Sequence, residues 1–157
     1  MLADSDLPRT CVCTPTFKRA PLLRLLIGDL TRQTAQPSSL IVVDGDPDSG
    51  DVLDMLSHLG LHDTWRVVYV PSNHANLAYQ RYLGWRVAKE TDCDVLLYFD
   101  DDLRLHQQDT IEKLIEPFSK TEVVGVTTLI IKAGKASELS VDRPGQWPDL
   151  AMKWFVG

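Results

Sequence analysis

Three adjacent carboxylates, Asp100-Asp101-Asp102, follow directly on the apolar run Asp94-Val95-Leu96-Leu97-Tyr98-Phe99. Neighbouring carboxylates repel one another unless a cation or a set of donors neutralises them. The run is therefore a candidate for a hard divalent cation, Mg²⁺ or Mn²⁺, which takes oxygen ligands and is commonly held by one or two carboxylates together with substrate phosphates. In an extended segment Asp100 and Asp102 point one way and Asp101 the other, so the outer pair is available to a metal and the middle carboxylate to a ribose or another hydroxyl. The competing reading is an acidic helix N-cap or a solvated turn. A second acidic run spans Asp44-Gly45-Asp46-Pro47-Asp48-Ser49-Gly50-Asp51. Asp46, Asp48 and Asp51 fit a loop and a helix cap, and a calcium loop is excluded because the helix–loop–helix context and the terminal Glu are missing. Asp44 differs because it follows an apolar strand directly, where its carboxylate can accept hydrogen bonds from a base or sugar. Arg81, among Ala78, Tyr82 and Gly84, suits a phosphate or a carboxylate, with a surface salt bridge as the alternative. His74 is a base or phosphate contact at most, and a lone loop histidine is more often polar surface.

These residues need elements to hold them, and the chain alternates strand-type and helix-type runs. Thr10 to Thr14 reads as a strand, and Pro15-Thr16-Phe17-Lys18-Arg19 breaks it. Pro21 can occupy the first turn of a helix whose Leu22, Leu23, Leu26, Ile27 and Leu30 share one face. Leu40 to Val43 is a second strand, followed by a helix with Val52, Leu53, Leu56 and Leu59 inward that stops at Gly60. Arg66 to Val70 is a third strand. A helix from about Asn76 to Lys89 is expected to bury Ala78, Tyr82, Trp85 and Ala88. Asp94 to Phe99, apolar on both faces, reads as a central parallel strand. Ile111, Leu114, Ile115 and Phe118 mark a further helix, and Glu122 to Ile131 a fifth strand. This rhythm predicts an open, mostly parallel α/β sheet with right-handed crossovers. In such sheets ligands bind at the carboxyl ends of the strands, and that is where the Thr14–Arg19, Asp44–Asp46, Ser72–His74 and Asp100–Asp102 segments fall.

Composition narrows the partners. The chain has 157 residues, 16 Lys+Arg against 22 Asp+Glu, a net charge of −6 and three cysteines. That balance, with no basic stripe, argues against nucleic acid and against a general anionic-membrane surface. No apolar run approaches the roughly 20 residues of a membrane span, and the acidic opening lacks the apolar core of a secretory signal. A cytoplasmic protein is expected, free or at the cytosolic face of a membrane. Cys11, Cys13 and Cys93 are odd in number and lie in apolar stretches, so reduced, packed thiols are expected rather than disulfides or a zinc site. No Gly-x-Gly-x-x-Gly follows the first strand and no Walker lysine loop is present.

Taken in order, Cys11-Val-Cys-Thr-Pro-Thr-Phe-Lys-Arg19, the leucine-rich helix ending Arg32-Gln33-Thr34, Leu40-Ile-Val-Val-Asp-Gly45, Ala78-Tyr-Gln-Arg-Tyr-Leu-Gly84 and Tyr98-Phe-Asp-Asp-Asp-Leu103 resemble a family 2 glycosyltransferase over residues 9–131. The resemblance implies a GT-A fold, a Rossmann-like three-layer α/β sandwich with a mostly parallel central sheet. It implies a nucleoside-diphosphate sugar as donor, a saccharide, lipid-linked or other hydroxyl acceptor, and inversion at the anomeric carbon. It places Thr14, Pro15, Thr16, Phe17, Arg19 and Asp44 at the nucleoside and matches Arg81 and Gly84 to the family's helical Ala-Arg-Asn-x-Gly segment. Asp100 and Asp102 match its DxD motif, with Asp102 the direct ligand of Mg²⁺ or Mn²⁺ and Asp101 in the nucleotide-sugar site. Phe17 stands where a tyrosine is frequent, Gly45 where many members carry a second aspartate, and Tyr82 where they carry Asn.

By the same resemblance, residues 1–8 form an N-terminal extension and 132–157 the start of an acceptor-side region. The stretch after Asp102 is shorter than the family usually uses, so a truncated domain is expected. Glu138, Asp142 and Asp149 are available acids, but no motif assigns a general base. The rival from another class is a non-catalytic module that binds the nucleotide sugar or serves assembly. An Asp-x-Asp phosphatase is disfavoured by Arg104, and a nucleotidyltransferase by the lack of a Gly-rich basic loop after the first strand.

Overall fold

The structure, a computed structural model, describes residues 8–61 and 64–127. The chain divides into two compact units, residues 1–112 and 113–157. The first holds four strands, β1 (Thr10–Thr16), β2 (Ser39–Asp44), β3 (Arg66–Pro71) and β4 (Val95–Tyr98). It also holds the helices α1 (Ala20–Leu30), α2 (Asp51–His58) and α3 (Leu77–Ala88). A helix α4 (Thr110–Ile115) begins at the end of this unit, and a 3-10 turn at Glu116–Ser119 belongs to the second. Residues 122–127 contain no strand, so the expected fifth strand is absent from its first six positions, and 128–131 lie outside the described residues. The expected terminal segments, 1–7 and 132–157, also lie outside them.

The sheet is parallel throughout, in the order β3-β2-β1-β4. The chain moves outward from β1 to β3 and then crosses back to β4, so the strand order reverses between β1 and β4. With right-handed crossovers this reversal puts α1 and α2 on one face and α3 on the other. It also opens a crevice at the carboxyl ends of β1 and β4, the switch point where ligands of open α/β sheets bind. β4 pairs only with β1 among the described residues, although its composition predicts a central strand. It also stops early: Tyr98 lies opposite Cys13, and Phe99 N–H still donates to Cys13 O at 3.1 Å, while β1 runs on to Thr16. The three aspartates therefore leave the sheet beside the last residues of β1.

Strand alternation divides the core. Cys11, Cys13, Ile41 and Val43 face Ala88 of α3, with Val68, Val70, Leu83 and Leu96 packed alongside. Val12, Leu40 and Val42, on the other face, are equally buried, as are Leu23, Leu26, Ile27 and Leu30 of α1. Leu22 and Leu53, expected inward, are exposed because the buried arcs of α1 and α2 are narrower than their leucine content. The larger correction is α3. It buries Gln80, Gly84 and Ala88, while Ala78, Tyr82 and Trp85 are exposed. The reason is close approach: a Cβ at Gly84 would lie 2.2 Å from Cys13 Sγ, so only a glycine lets this helix seat on β1. Asn76 caps the helix, its Oδ1 accepting from Tyr79 N–H at 3.0 Å.

Candidate functional site

A cleft of about 280 Å³ lies at the carboxyl ends of β1 and β4. Pro15, Thr16, Phe17 and Arg19 line it from the β1–α1 loop, Ala75, Leu77 and Gln80 from the start of α3, and Asp100, Asp101 and Asp102 from the end of β4. Lys18 bends the first loop through the left-handed region, φ 57°, which an ordinary residue enters rarely. Phe17 is exposed at the rim with Lys18 Nζ over its ring.

The aspartates do not alternate as an extended segment would. The strand ends at Tyr98, and Leu103 N–H donates to Asp100 O at 3.1 Å, so the run folds into a turn. Asp101 and Asp102 consequently meet the same cation: Arg19 Nη1 donates to Asp101 Oδ1 at 3.3 Å and to Asp102 Oδ2 at 3.1 Å. Asp101 is buried and also accepts from Thr16 Oγ1 at 2.7 Å. Asp100 pairs instead with Arg81 Nη2 at 2.8 Å. Tyr98 ties that arginine down from below, its hydroxyl donating to Arg81 O at 2.9 Å and its ring lying 5.9 Å from the guanidinium. Three carboxylates thus share two guanidiniums, so the cluster holds one more carboxylate than guanidinium although each carboxylate is paired.

Three expected residues, Thr14, Asp44 and Arg81, are not among those that line the cleft, and of these Arg81 reaches its wall through Asp100. Asp44 is fully buried and does not line the cleft; its Oδ2 accepts from Tyr69 Oη at 2.9 Å and its Oδ1 from Asp46 N–H at 2.9 Å. Burial, then the hydrogen bond to Asp44, pushes the Tyr69 phenol up to about 12, so it remains a proton donor to that carboxylate. Thr14 is also fully buried, and its hydroxyl has no hydrogen-bond partner. Both sit behind the loops that shape the cleft. His74 is exposed and packs edge-on to Tyr79 at 5.4 Å.

Gln80 was not legible as a site residue. It is buried, and its Nε2 donates to Thr16 O at 2.8 Å and Val43 O at 3.0 Å, clamping the ends of β1 and β2 together. The cysteines are thiols, as expected; burial pushes Cys13 up to about 12, far from a reactive thiolate. Among the described residues no three His, Cys, Asp or Glu side chains form a metal-binding group by themselves. The residues still fit a cation that arrives with its ligand. Asp100 and Asp102 line the cleft, Asp102 is half exposed, and a hard divalent ion needs only one or two protein carboxylates when phosphate oxygens and water complete its shell.

No helix among the described residues is long and apolar enough to cross a membrane. No curated protein matches the chain. The fold is similar to that of a mannosyltransferase, PcManGT from Pyrobaculum calidifontis, solved in complex with GDP-Man and Mn²⁺, with a TM-score of 0.64 and 18% identity over 82% of this chain. It is also similar to S. aureus TarS, with a TM-score of 0.55 and 13% identity over 80% of this chain. The chain spans 37% and 23% of the lengths of those two proteins. At such identities the likeness establishes the architecture, the GT-A form of the parallel α/β sheet. The sequence carries the relationship further, because the profile of glycosyl transferase family 2 matches residues 11–150, nearly the whole chain: the protein belongs to that family.

Proposed function

We propose that the chain forms the donor site of an inverting, metal-assisted glycosyltransferase, which moves a sugar from a nucleoside diphosphate to an acceptor hydroxyl. The observation that carries this reading is the convergence of Arg19 and the three aspartates on one cleft at the switch point of the sheet, with Arg81 paired to Asp100 from behind its lining. In this reading Phe17, with Pro15 beside it, offers a flat apolar surface to the base. Thr16 holds Asp101, which faces the ribose and sugar. Arg19 and Arg81 supply fixed positive charge for the diphosphate, a role that suits guanidinium geometry. Thr14 and Asp44 act from behind the cleft, Asp44 by holding the Asp44–Asp46 turn against Tyr69.

Asp102, with Asp100, would hold Mg²⁺ or Mn²⁺. When bound, that ion would stabilise the charge that develops on the departing diphosphate. In the transfer itself the acceptor oxygen bonds to the anomeric carbon as the bond to the diphosphate oxygen breaks, and a general base takes the hydroxyl proton. The candidates for that base, Glu138, Asp142 and Asp149, lie outside the described residues. The mannosyltransferase with GDP-Man and Mn²⁺ supports the choice of ligand and metal class.

Calorimetric titration with UDP, GDP and dTDP, each with Mn²⁺ and then with chelator, tests the reading. One nucleotide is expected to bind in a metal-dependent manner, and Asp102→Ala to weaken it at least about tenfold, or 1.4 kcal/mol. Absence of binding under every condition, or an Asp102→Ala chain that binds as before, overturns the assignment.

A further inference from the structure

Helix α1 ends beside the chain that leaves the aspartate turn, and its last turn and the residues just after it carry a group of polar residues that the donor cleft does not use. Asp29 is buried to 2% exposure. It accepts from Arg104 Nε at 2.6 Å and Arg104 Nη2 at 3.0 Å, and from Leu105 N–H at 3.1 Å. Arg32 also donates to it. Gln33 continues the clamp, donating to Gln107 O at 2.8 Å and accepting from Ile111 N–H at 3.1 Å, and Thr34 N–H donates to Gln108 O at 2.7 Å. Residues 103–109 form neither helix nor strand, and these contacts from Asp29, Gln33 and Thr34 tie the segment to the end of α1 and the turn after it.

Burial pushes the Asp29 carboxyl upward, but the hydrogen bonds from Arg104 and Leu105 and the charges of Arg104 and Arg32 outweigh it and hold the group below its usual range. It is therefore an anion, and it occupies the guanidinium closest in sequence to the triple aspartate. Arg104 follows Asp102 by two residues, and its side chain is long and always charged. The aspartate cluster carries one negative charge beyond what Arg19 and Arg81 neutralise. A third guanidinium turning back onto Asp100 or Asp102 would cancel that surplus and compete with any divalent cation.

We propose that Asp29 is a positioning residue for the cation-binding end of the cleft: by sequestering Arg104 it keeps the triple aspartate net negative and open to a divalent ion. The proposal rests on the donor-site reading and adds to it an element outside the cleft. It also differs from a plain scaffolding role. A scaffold would be needed whatever charge residue 104 carries, whereas a sequestering anion becomes dispensable once the arginine is neutralised.

The test uses the full chain with Mn²⁺ alone, followed by electron paramagnetic resonance of the free ion, and with Mn²⁺ plus nucleoside diphosphate by calorimetry; thermal unfolding in chelator reports folding. Asp29→Asn is expected to weaken Mn²⁺ binding about tenfold, the scale of one added unit charge near a partly solvated site. The double variant Asp29→Asn/Arg104→Gln is expected to recover most of that loss. Arg104→Gln alone, which leaves Asp29 with Arg32 and Leu105, is expected to bind Mn²⁺ at least as tightly as the parent, and serves where Asp29→Asn does not fold. Three results overturn the proposal while leaving the donor reading intact: unchanged binding by folded Asp29→Asn, equal weakness in the single and double variants, or a tenfold loss in Arg104→Gln alone. A parent chain that binds neither Mn²⁺ nor any nucleotide overturns both.

Discussion

The two ends of one parallel sheet each carry a concavity, and their sizes do not tell them apart: about 280 Å³ at the carboxyl ends and 190 Å³ at the amino ends. What differs is where the charge sits. At the amino end Arg9 pairs with Asp92 at 3.4 Å and Asp94 at 3.2 Å, but all three side chains are about half exposed or more, a setting in which water and salt screen the attraction. The two serines there are spent on the protein itself, Ser38 Oγ on Thr10 O at 3.0 Å and Ser39 Oγ on Cys11 Sγ at 2.8 Å. At the carboxyl end a buried aspartate and its two neighbours are held by arginines that reach in from separate elements. Burying charge is costly unless it is paired; the buried Asp101 meets that condition through Arg19 and Thr16, as Asp29 does elsewhere in the fold through Arg104. The contrast is therefore one of convergence rather than of volume: apart from the buried Asp101, the charged side chains at the carboxyl end are themselves 41–52% exposed, but they gather on one run of carboxylates.

The contrast is broken most directly at Asp101. Asp101→Ala leaves Thr16 Oγ1 without its acceptor and frees one side of Arg19, so urea denaturation is expected to show a loss of about 1–3 kcal/mol. Metal-dependent nucleotide binding should fall with it. Unchanged stability together with unchanged binding would mean that the buried charge is incidental and that the two ends are equivalent.

Much of this was readable beforehand, and the exceptions share a cause. The parallel order, a cleft at the strand ends and the inward Leu23, Leu26, Ile27 and Leu30 all follow from patterns in which one residue type does one thing. In α3 the pattern misleads. Its large apolar residues, Tyr82 and Trp85, are exposed, while a glycine and a glutamine face the sheet. Gly84 is there because Cys13 leaves no room for a Cβ, and Gln80 because two strand-end carbonyls need a donor; neither requirement exists until the strands are placed. Asp44 shows the same limit. Its position after a strand marks it for a ligand, but Tyr69, from the neighbouring strand, takes one oxygen and the Asp46 amide the other. Asp29 is buried in α1 and carries no sequence signal, since the Arg104 and Leu105 that bury and bind it are more than seventy residues away. The alternation expected of Asp100–Asp102 failed because β4 ends at Tyr98, one pairing short of the aspartates.

Acid separates exposed from buried pairs less sharply, because Asp94 at the amino end and Asp29, outside the cleft, both hold a carboxyl below its usual range. At the amino end the hydrogen bonds from Arg9 to Asp94 are responsible; Asp29 is held down by Arg104 and Leu105 against its burial. A carboxyl with a depressed folded pKa stabilises above its unfolded value, about 3.9, and loses that contribution as pH falls through the folded one. The unfolding midpoint of Asp29→Asn should therefore lie below that of the parent at neutral pH, with the gap closing below about pH 4. For Asp94→Asn, in solvent, a smaller gap is expected, and one that added salt removes. Equal gaps at high salt would show that burial does not distinguish the two carboxylates.

The smallest effect is expected at Ser39, and it tests the amino end on its own terms. Ser39 is buried, but the acceptor that its loss strands is only the Cys11 sulfur. Sulfur accepts weakly and costs little to leave dry, whereas a carboxylate in the same position would not. Ser39→Ala also trims only an oxygen, creating almost no cavity. The change in unfolding free energy should stay below about 1 kcal/mol, and nucleotide affinity should match the parent, because nothing at this end touches the cleft lined by Phe17, Arg19 and Asp102. A Ser39→Ala chain with weakened metal-dependent binding would show that the amino-end cavity is coupled to the donor site through β1, and that the division between the two ends is too sharply drawn.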